Sequence, residues 1–154
     1  MIGNAFYAQS GGVTSVINAS AAGVIEQARQ HPERIGRVYV GENGILGALG
    51  EDLVDTARFN FQALLSLRYT PAGAFGSCRY KLKSLEEHSE EYRRILAVFE
   101  AHEIRYFFYN GGGDSQDTAH KLSQMAEQLN YPLTCIGIPK TNYNALPLTY
   151  CMQH

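Results

Sequence analysis

Short apolar runs alternate along the chain with longer segments in which apolar residues recur every three or four positions. The runs have the length of buried strands, whereas the longer segments have the period of helices that bury one face. Alternating strands and helices predict an open, mostly parallel α/β sheet with helices on both faces. The predicted strands are residues 4–9, 37–41, 104–109 and 132–138 with a short one within 51–56, and the predicted helices are residues 16–29, 57–67, 84–103 and 115–130 with a short one after residue 42.

The clearest helix is predicted over residues 84–103. Ser84 and Glu87 have the spacing of a capping box, in which side chains satisfy the free N–H groups of the first turn. The apolar positions of this segment and of the next predicted helix repeat at helical spacing, so we expect them to face the core. They are Leu85, Tyr92, Ile95, Leu96 and Phe99 in the first helix, and Ala119, Leu122, Ala126 and Leu129 in the second.

The composition fits one globular domain over residues 1–154, with 45% hydrophobic and 18% charged residues. The net charge is −2 and no basic block is present, so nucleic acid and anionic membrane are excluded as main partners. No apolar run reaches the ~20 residues that span a bilayer, and the N-terminus does not read as a secretory signal. Cys78, Cys135 and Cys151 form no zinc pattern, so we expect free thiols in the cytoplasm.

Three loops follow predicted strands, at residues 10–12, 111–113 and 139–141, and the first two are rich in glycine. The carboxyl ends of parallel strands share one edge of a sheet, where ligands bind. Glycine lets a phosphate approach the backbone N–H groups at a helix start. Neither loop matches the Walker A or the dinucleotide fingerprint. Glycines also make tight turns, but two such loops with a basic third favour a phosphate-rich ligand.

Asp114 follows the second glycine loop at the predicted start of a helix. A carboxylate in this position is often only a helix cap. It would also repel a phosphate bound at the same helix start, and Mg²⁺ that bridges carboxylate and phosphate removes this conflict. Both interpretations are compatible with the sequence.

Basic side chains are the second requirement of a phosphate site. Arg79 lies beside glycines in a long loop with Lys81 and Lys83, and an arginine there can bind phosphoryl oxygens with two parallel hydrogen bonds. A solvated basic loop is the alternative. Lys140 directly follows a predicted strand end, which favours a functional role.

Four longer stretches make the chain resemble a known family. They are AQSGGVTSVINASAAGVIE from residue 8, GAFGSCRYKLK from residue 73, YFFYNGGGDSQDTAHK from residue 106 and PLTCIGIPKT from residue 132. They are similar to 6-phosphofructokinases, and most similar to the pyrophosphate-dependent branch, which transfers a phosphoryl group from diphosphate to fructose 6-phosphate in glycolysis and gluconeogenesis. The resemblance implies a Rossmann-like three-layer fold, of which this chain is the N-terminal, donor-binding half only, truncated before the sugar-phosphate-binding half.

The resemblance also implies roles for individual residues. The backbone of Gly11 and Gly12 would bind the phosphoryl donor, and Arg79 would bridge the donor and the reacting end of the sugar. Lys140 would be a catalytic residue that stabilises charge on the transferred group. Thr141 would contact the substrate or the donor.

The second glycine loop has implied roles of its own. Gly112, Gly113 and Ser115 would bind the donor. Asp114 resembles the aspartate of pyrophosphate-dependent members, which excludes ATP, and it would act in catalysis and bind Mg²⁺. Because Gly113 stands where the family often has an aspartate, the metal would depend more on Asp114.

The chain departs from the family after Thr141. Tyr143 and Ala145 stand where the family has aspartates, the first of them the general base, and a later aspartate is Tyr150. A tyrosine with a pKa of ~10 is a poor base at neutral pH, and loss of a general base costs ~10²–10⁴ in rate. We therefore expect this chain as written to be inactive.

Three alternatives accompany the enzyme-fragment hypothesis. The chain could be a non-catalytic module that binds diphosphate or pairs with an intact subunit, a fragment of an ATP-dependent phosphofructokinase, or an unrelated nucleotide-binding domain. The resemblance implies a homo-oligomer for the intact enzyme.

Overall fold

A five-stranded sheet forms the centre of the computed structural model, which describes residues 2–140. Its strands are β1 (Gly3–Gln9), β2 (Ile35–Gly41), β3 (Leu53–Asp55), β4 (Ile104–Gly111) and β5 (Thr134–Pro139). The spatial order is β3-β2-β1-β4-β5, and all neighbours are parallel except β2 and β3. The strand order reverses between β1 and β4, which is where open α/β sheets bind ligands.

Helices cover both faces of the sheet, as the alternating pattern predicts. They are α1 (Ile17–Arg29), α2 (Ile45–Gly50), α3 (Phe61–Tyr69), α4 (Ser89–Ala101) and α5 (Gly113–Gln128). One core cluster joins the sheet to α2, α4 and α5, and the other joins it to α1 and α3. None of the helices among residues 2–140 is both long and apolar enough to span a lipid bilayer.

The larger core is built around aromatic side chains. The ring of Phe6 in β1 lies 5.1 Å from that of Phe99 in α4 and 5.8 Å from that of Phe107 in β4. All three side chains are fully buried. Because β1 is the central strand, this packing holds the carboxyl ends of β1 and β4 side by side.

The helix predicted over residues 57–67 is wrong in its extent. A 3₁₀ turn covers Thr56–Arg58, the backbone is extended at Phe59, and α3 begins only at Phe61. Two side-chain caps produce this break, since Asp55 accepts from the Ala57 N–H and Asn60 accepts from the Ala63 N–H. Local caps therefore override the apolar period.

The helix predicted from residue 84 begins five residues later, at Ser89. Ser84 does accept a hydrogen bond from the Glu87 N–H at 3.3 Å, but this bond closes a turn that precedes α4. The predicted apolar face is confirmed, because its members Tyr92, Ile95, Leu96 and Phe99 are all buried and Leu85 packs against them.

The inward face of α5 is confirmed at Ala119, Leu122 and Ala126. Leu129 is the exception. It lies just beyond α5 and is 43% exposed, since the helix ends at Gln128 and the chain turns away.

Candidate functional site

A cavity of about 310 Å³ opens at the carboxyl edge of the sheet, between β1 and β4. All three predicted loops contribute to it, together with the long loop that precedes α4. Its lining residues are Ser10, Gly11, Gly12, Arg79, Tyr80, Lys81, Gly112, Gly113, Asp114, Ser115 and Lys140. Folding thus brings together residues that lie up to 130 positions apart in the chain.

The first glycine loop continues directly from β1. Gly11 has a φ of +80°, a backbone conformation that side chains disfavour. Its N–H donates to the Cys78 carbonyl at 3.1 Å. Gly11 therefore shapes the loop and uses its own N–H to fasten it to the neighbouring segment.

The second glycine loop contains glycines of two kinds. A Cβ at Gly111 would lie 2.3 Å from the Ser115 Oγ and 3.2 Å from the Ser10 Cβ, so close packing requires glycine there. A Cβ at Gly113 would meet no described atom within 4 Å. Packing among the described residues therefore does not explain the glycine at position 113.

Asp114 lies in the first turn of α5 but does not cap it. The N-cap residue is Gly112, which has no side chain to bond the helix, so the simple capping interpretation is wrong. The Asp114 Oδ1 instead lies 2.9 Å from the Lys81 Nζ. Hydrogen bonding to Asp114 raises the pKa of Lys81, and the carboxylate charge adds to the effect. Asp114 is 72% exposed and stays accessible from the cavity.

Lys140 and Arg79 face each other as two cations. The Lys140 ammonium donates to the Ser10 carbonyl at 2.8 Å and to the Gly12 carbonyl at 2.6 Å. Partial burial lowers the pKa of Lys140, and the positive charge of Arg79 lowers it further. Among residues 2–140 neither side chain forms an ion pair with a carboxylate. An anion between the two cations would relieve their repulsion.

Two basic side chains of the loop before α4 line the cavity. Tyr80 is anchored by its hydroxyl, which donates to Glu91 at 2.7 Å, and Leu82 is fully buried. Arg79 and Lys81 line the cavity together with Tyr80. The Arg79 and Lys81 side chains are also exposed to solvent, so the solvated-loop interpretation stays open beside a role in the site.

The structure gathers most of the predicted site into one place. Every predicted donor-binding residue lines the cavity with Asp114 and Lys140. Thr141 and Tyr143 lie outside the described residues, so their roles stay predictions. Lys81 was not singled out as a site residue from the sequence, although its spacing of two from Arg79 could have indicated it. Ser10 and Tyr80 were also missed.

Metal ligands are scarce at the site. Among residues 2–140 no group of three or more histidine, cysteine or acidic side chains is arranged to hold an ion. Cys78 and Cys135 are free thiols, as predicted, and Cys151 lies outside the described residues. The cavity offers one carboxylate, that of Asp114.

Comparison with known proteins agrees with this geometry. The model of the family described as phosphofructokinase matches residues 4–152. The chain belongs to the phosphofructokinase family. A curated relative, the pyrophosphate–fructose 6-phosphate 1-phosphotransferase of Methylococcus capsulatus, is 65% identical over 96% of this chain, which corresponds to 35% of the relative.

Two solved phosphofructokinases have the same fold. The pyrophosphate-dependent phosphofructokinase from Nitrosospira multiformis superposes with a TM-score of 0.87 at 61% identity, over 94% of this chain and 35% of that structure. The corresponding protein from Marinobacter aquaeolei gives 0.84 at 63% identity, over 91% of this chain and 34% of that structure. The chain thus spans about a third of the length of these relatives.

Proposed function

We propose that this chain is the donor-binding part of a pyrophosphate-dependent 6-phosphofructokinase, which transfers a phosphoryl group from diphosphate to fructose 6-phosphate. The observation that carries the proposal is the cavity between two glycine loops, where Arg79, Lys81 and Lys140 converge with a single carboxylate. Three cations around one acidic group favour a ligand with several negative charges. The names of the relatives at 61–65% identity supply diphosphate as that ligand.

In this proposal the donor lies between the first turn of α5 and Lys140. The open space at Gly113 admits one phosphate to the N-terminus of α5, where free N–H groups and the helix dipole favour an anion. Arg79 binds phosphoryl oxygens with two parallel hydrogen bonds. Lys140 stabilises the charge that develops on the transferred group, in a site where it already carries unbalanced positive charge.

Mg²⁺ fits the residues that are present. The ion is usually held by one or two carboxylates, by waters and by the phosphates of the substrate, so a single exposed aspartate is sufficient. Asp114 would supply that carboxylate, exchanging Lys81 for the metal. The ion would neutralise charge on the diphosphate and hold it in place.

Catalysis by this chain alone is a separate matter. We propose that it binds the donor but does not transfer phosphoryl groups, because Tyr143 and Ala145 replace the aspartates implied by the family resemblance. These substitutions equally favour a second candidate, a non-catalytic module that binds diphosphate or pairs with an intact subunit. The sugar phosphate would bind with the help of Thr141 and of the portion that only the longer relatives contain.

The proposal includes a cytoplasmic location and a homo-oligomeric state for the intact enzyme. The free thiols of Cys78 and Cys135 are in keeping with a reducing compartment. Size-exclusion chromatography coupled to light scattering tests the oligomeric state.

Isothermal titration calorimetry tests the donor assignment. With Mg²⁺ present, we expect diphosphate to bind more tightly than ATP or inorganic phosphate. The variant Lys81→Met should weaken diphosphate binding about tenfold, whereas Lys83→Met, which alters a lysine outside the cavity lining, should leave it unchanged. Tighter binding of ATP would favour the ATP-dependent branch. Equal effects of the two lysine variants would show that diphosphate is attracted only by the overall positive charge of the loop.

A further inference from the structure

We propose that Gln9 is a positioning residue of the donor site, and that it acts through Arg79. Its buried amide holds the carbonyl of Gly76, and this bond places the short segment from which Arg79 enters the cavity. The inference rests on the proposed function in one respect, since it takes diphosphate as the ligand that Arg79 binds.

The Gln9 side chain is fully buried at the end of β1 and has a defined orientation. Its Nε2 donates to the Gly76 carbonyl at 2.7 Å, and its Oε1 accepts from the Tyr7 hydroxyl at 3.3 Å. The same hydroxyl accepts from the Asn110 Nδ2 at 3.0 Å. The Tyr7 hydroxyl can also donate to the Ile17 carbonyl at 3.4 Å. The orientation of Gln9 follows from Gly76, because a carbonyl only accepts, so the amide nitrogen must face Gly76 and the amide oxygen faces Tyr7.

The segment that Gln9 holds is bonded at three successive residues to the end of β1 and to the loop that follows it. Gly76 bonds to Gln9, and the Ser77 hydroxyl donates to the Gly11 carbonyl at 2.8 Å. The Cys78 carbonyl accepts from the Gly11 N–H at 3.1 Å. Arg79 is the next residue, so its backbone position follows from this short parallel extension of the sheet.

Gln9 is the fully buried side chain in this set of bonds. The buried Ser10 hydroxyl also donates to the Cys78 carbonyl at 3.2 Å. The other contacts use backbone groups or the half-buried Ser77, which water can replace in part. Loss of the Gln9 amide would leave the partly buried Gly76 carbonyl without its partner, which is unfavourable, whereas the Tyr7 hydroxyl keeps its contacts with Ile17 and Asn110.

Gly76 leaves little room for adjustment at the start of the segment. It has a φ of +68°, and a Cβ there would lie 2.2 Å from the Asn43 Oδ1. A shift at Gly76 therefore moves the chain that follows it rather than being absorbed by a side chain. Two parallel hydrogen bonds from Arg79 to a phosphate depend on angle as well as distance, so a displacement of about 1 Å is enough to weaken them.

A double-mutant cycle tests whether Gln9 acts through Arg79. Calorimetry would compare Mg²⁺–diphosphate binding by the wild-type chain with binding by Gln9→Met, Arg79→Lys and the double variant. We expect Gln9→Met to weaken binding about tenfold on its own and to have little further effect once Arg79 is Lys. Independent, additive effects of the two substitutions would overturn the proposal.

Asn18 of α1 offers a matched control, because its buried amide also holds the long loop. It is 1% exposed, its Nδ2 donates to the Thr70 carbonyl at 2.8 Å, and its Oδ1 accepts from the Ala74 N–H at 2.9 Å. Asn18→Leu should destabilise the protein without weakening diphosphate binding. An equal loss of affinity in Asn18→Leu would show that any damage to the loop suffices, and Gln9 would have no specific role.

Hydrogen exchange without ligand separates this proposal from the proposed function. In Gln9→Met we expect faster amide exchange at residues 76–80, whereas in Asn18→Leu the faster exchange should lie at residues 70–75. If the wild-type chain does not bind diphosphate, the proposed function fails. Unchanged amide exchange at residues 76–80 in Gln9→Met would overturn the role of Gln9, whether or not diphosphate binds. Should Gln9→Met not fold, Tyr7→Phe removes the hydroxyl that contacts the Gln9 amide oxygen and must produce the same changes in smaller amounts.

Discussion

The Lys140 ammonium donates a hydrogen bond to the Gly12 carbonyl at 2.6 Å, across 128 positions of sequence. The bond joins the end of β5 to the loop after β1, although β4 lies between these strands in the sheet. The same ammonium also holds the Ser10 carbonyl. Lys140 therefore closes the first glycine loop, and the positive charge of Arg79 acts on its ammonium group.

The depressed pKa of Lys140 predicts proton uptake when diphosphate binds. An anion beside the ammonium favours its charged form, so binding raises the pKa towards or above the ordinary value of 10.5. Calorimetry at alkaline pH, in buffers of different ionisation enthalpy, measures the protons taken up. Lys140→Met should take up fewer protons than the wild type, and equal uptake by both proteins would contradict the assignment.

The same pKa predicts how stability depends on pH. Lys140 binds its proton more weakly in the folded chain than in the unfolded chain, so the unfolded state holds more protons between the two pKa values. The contribution of Lys140 to the free energy of unfolding is therefore least favourable at neutral pH and rises as the pH increases through the folded-state pKa. Urea denaturation of the wild type and of Lys140→Met measures this dependence over the alkaline range. The free energy of unfolding should rise more steeply with pH in the wild type than in the variant.

Asp114→Asn should make diphosphate binding largely independent of Mg²⁺. The substitution removes the carboxylate of the cavity, so the ion loses its ligand from the described part of the chain. Asp117→Asn is the matched control, because Asp117 lies one turn further along α5 and pairs with Lys121. Both variants would be titrated with diphosphate in the presence and in the absence of Mg²⁺. An equal effect of Mg²⁺ on diphosphate affinity in the two variants would contradict the metal assignment.

Gly113→Ala should weaken diphosphate binding without lowering the stability of the fold. Its Cβ would meet no described atom within 4 Å, and a helical alanine restricts the unfolded chain, so we expect the free energy of unfolding to stay equal or rise by up to about 1 kcal/mol. Diphosphate affinity should nevertheless fall, because the Cβ occupies the approach to the first turn of α5.

Gly111→Ala is the contrasting variant. Its Cβ would collide with Ser115 at 2.3 Å, so this substitution should destabilise the protein by about 1–3 kcal/mol. Chemical denaturation and calorimetry on both variants provide the comparison. Unchanged diphosphate affinity in a stable Gly113→Ala would rule out ligand approach at this position.

Formation of fructose 1,6-bisphosphate from diphosphate and fructose 6-phosphate should be undetectable with this chain alone. Tyr143 stands where the family resemblance implies the general base, and a tyrosine with its usual pKa of ~10 is a poor base at neutral pH. A coupled enzymatic assay, run on the same preparation that binds diphosphate, provides the measurement. Turnover would show that another group accepts the proton.

The order of strands and helices could be predicted from the sequence because periodicity reports which local face is buried. Residues 104–109 are apolar enough to indicate a buried strand, and β4 contains all of them. The helix boundaries were less predictable, since caps such as Asn60 depend on one local hydrogen bond that the apolar period does not reveal.

Residue type and position after strands were enough to propose the main site residues, which are the glycine loops, Arg79, Asp114 and Lys140. The contacts of these residues could not be predicted. The partner of Asp114 is Lys81, 33 positions earlier, and nothing in the spacing of the two residues predicts the 2.9 Å contact.

The sequence by itself determined the α/β class, the two glycine loops and the need for glycine where the backbone turns sharply. Those properties depend on short-range sterics and on the burial of apolar faces, which act over a few residues. Only the tertiary structure decided that Gln9 holds Gly76 and that Lys140 closes the loop at Gly12. These contacts follow from the order β3-β2-β1-β4-β5, which places distant segments at one edge of the sheet. Distance along the chain carries no information about such neighbours.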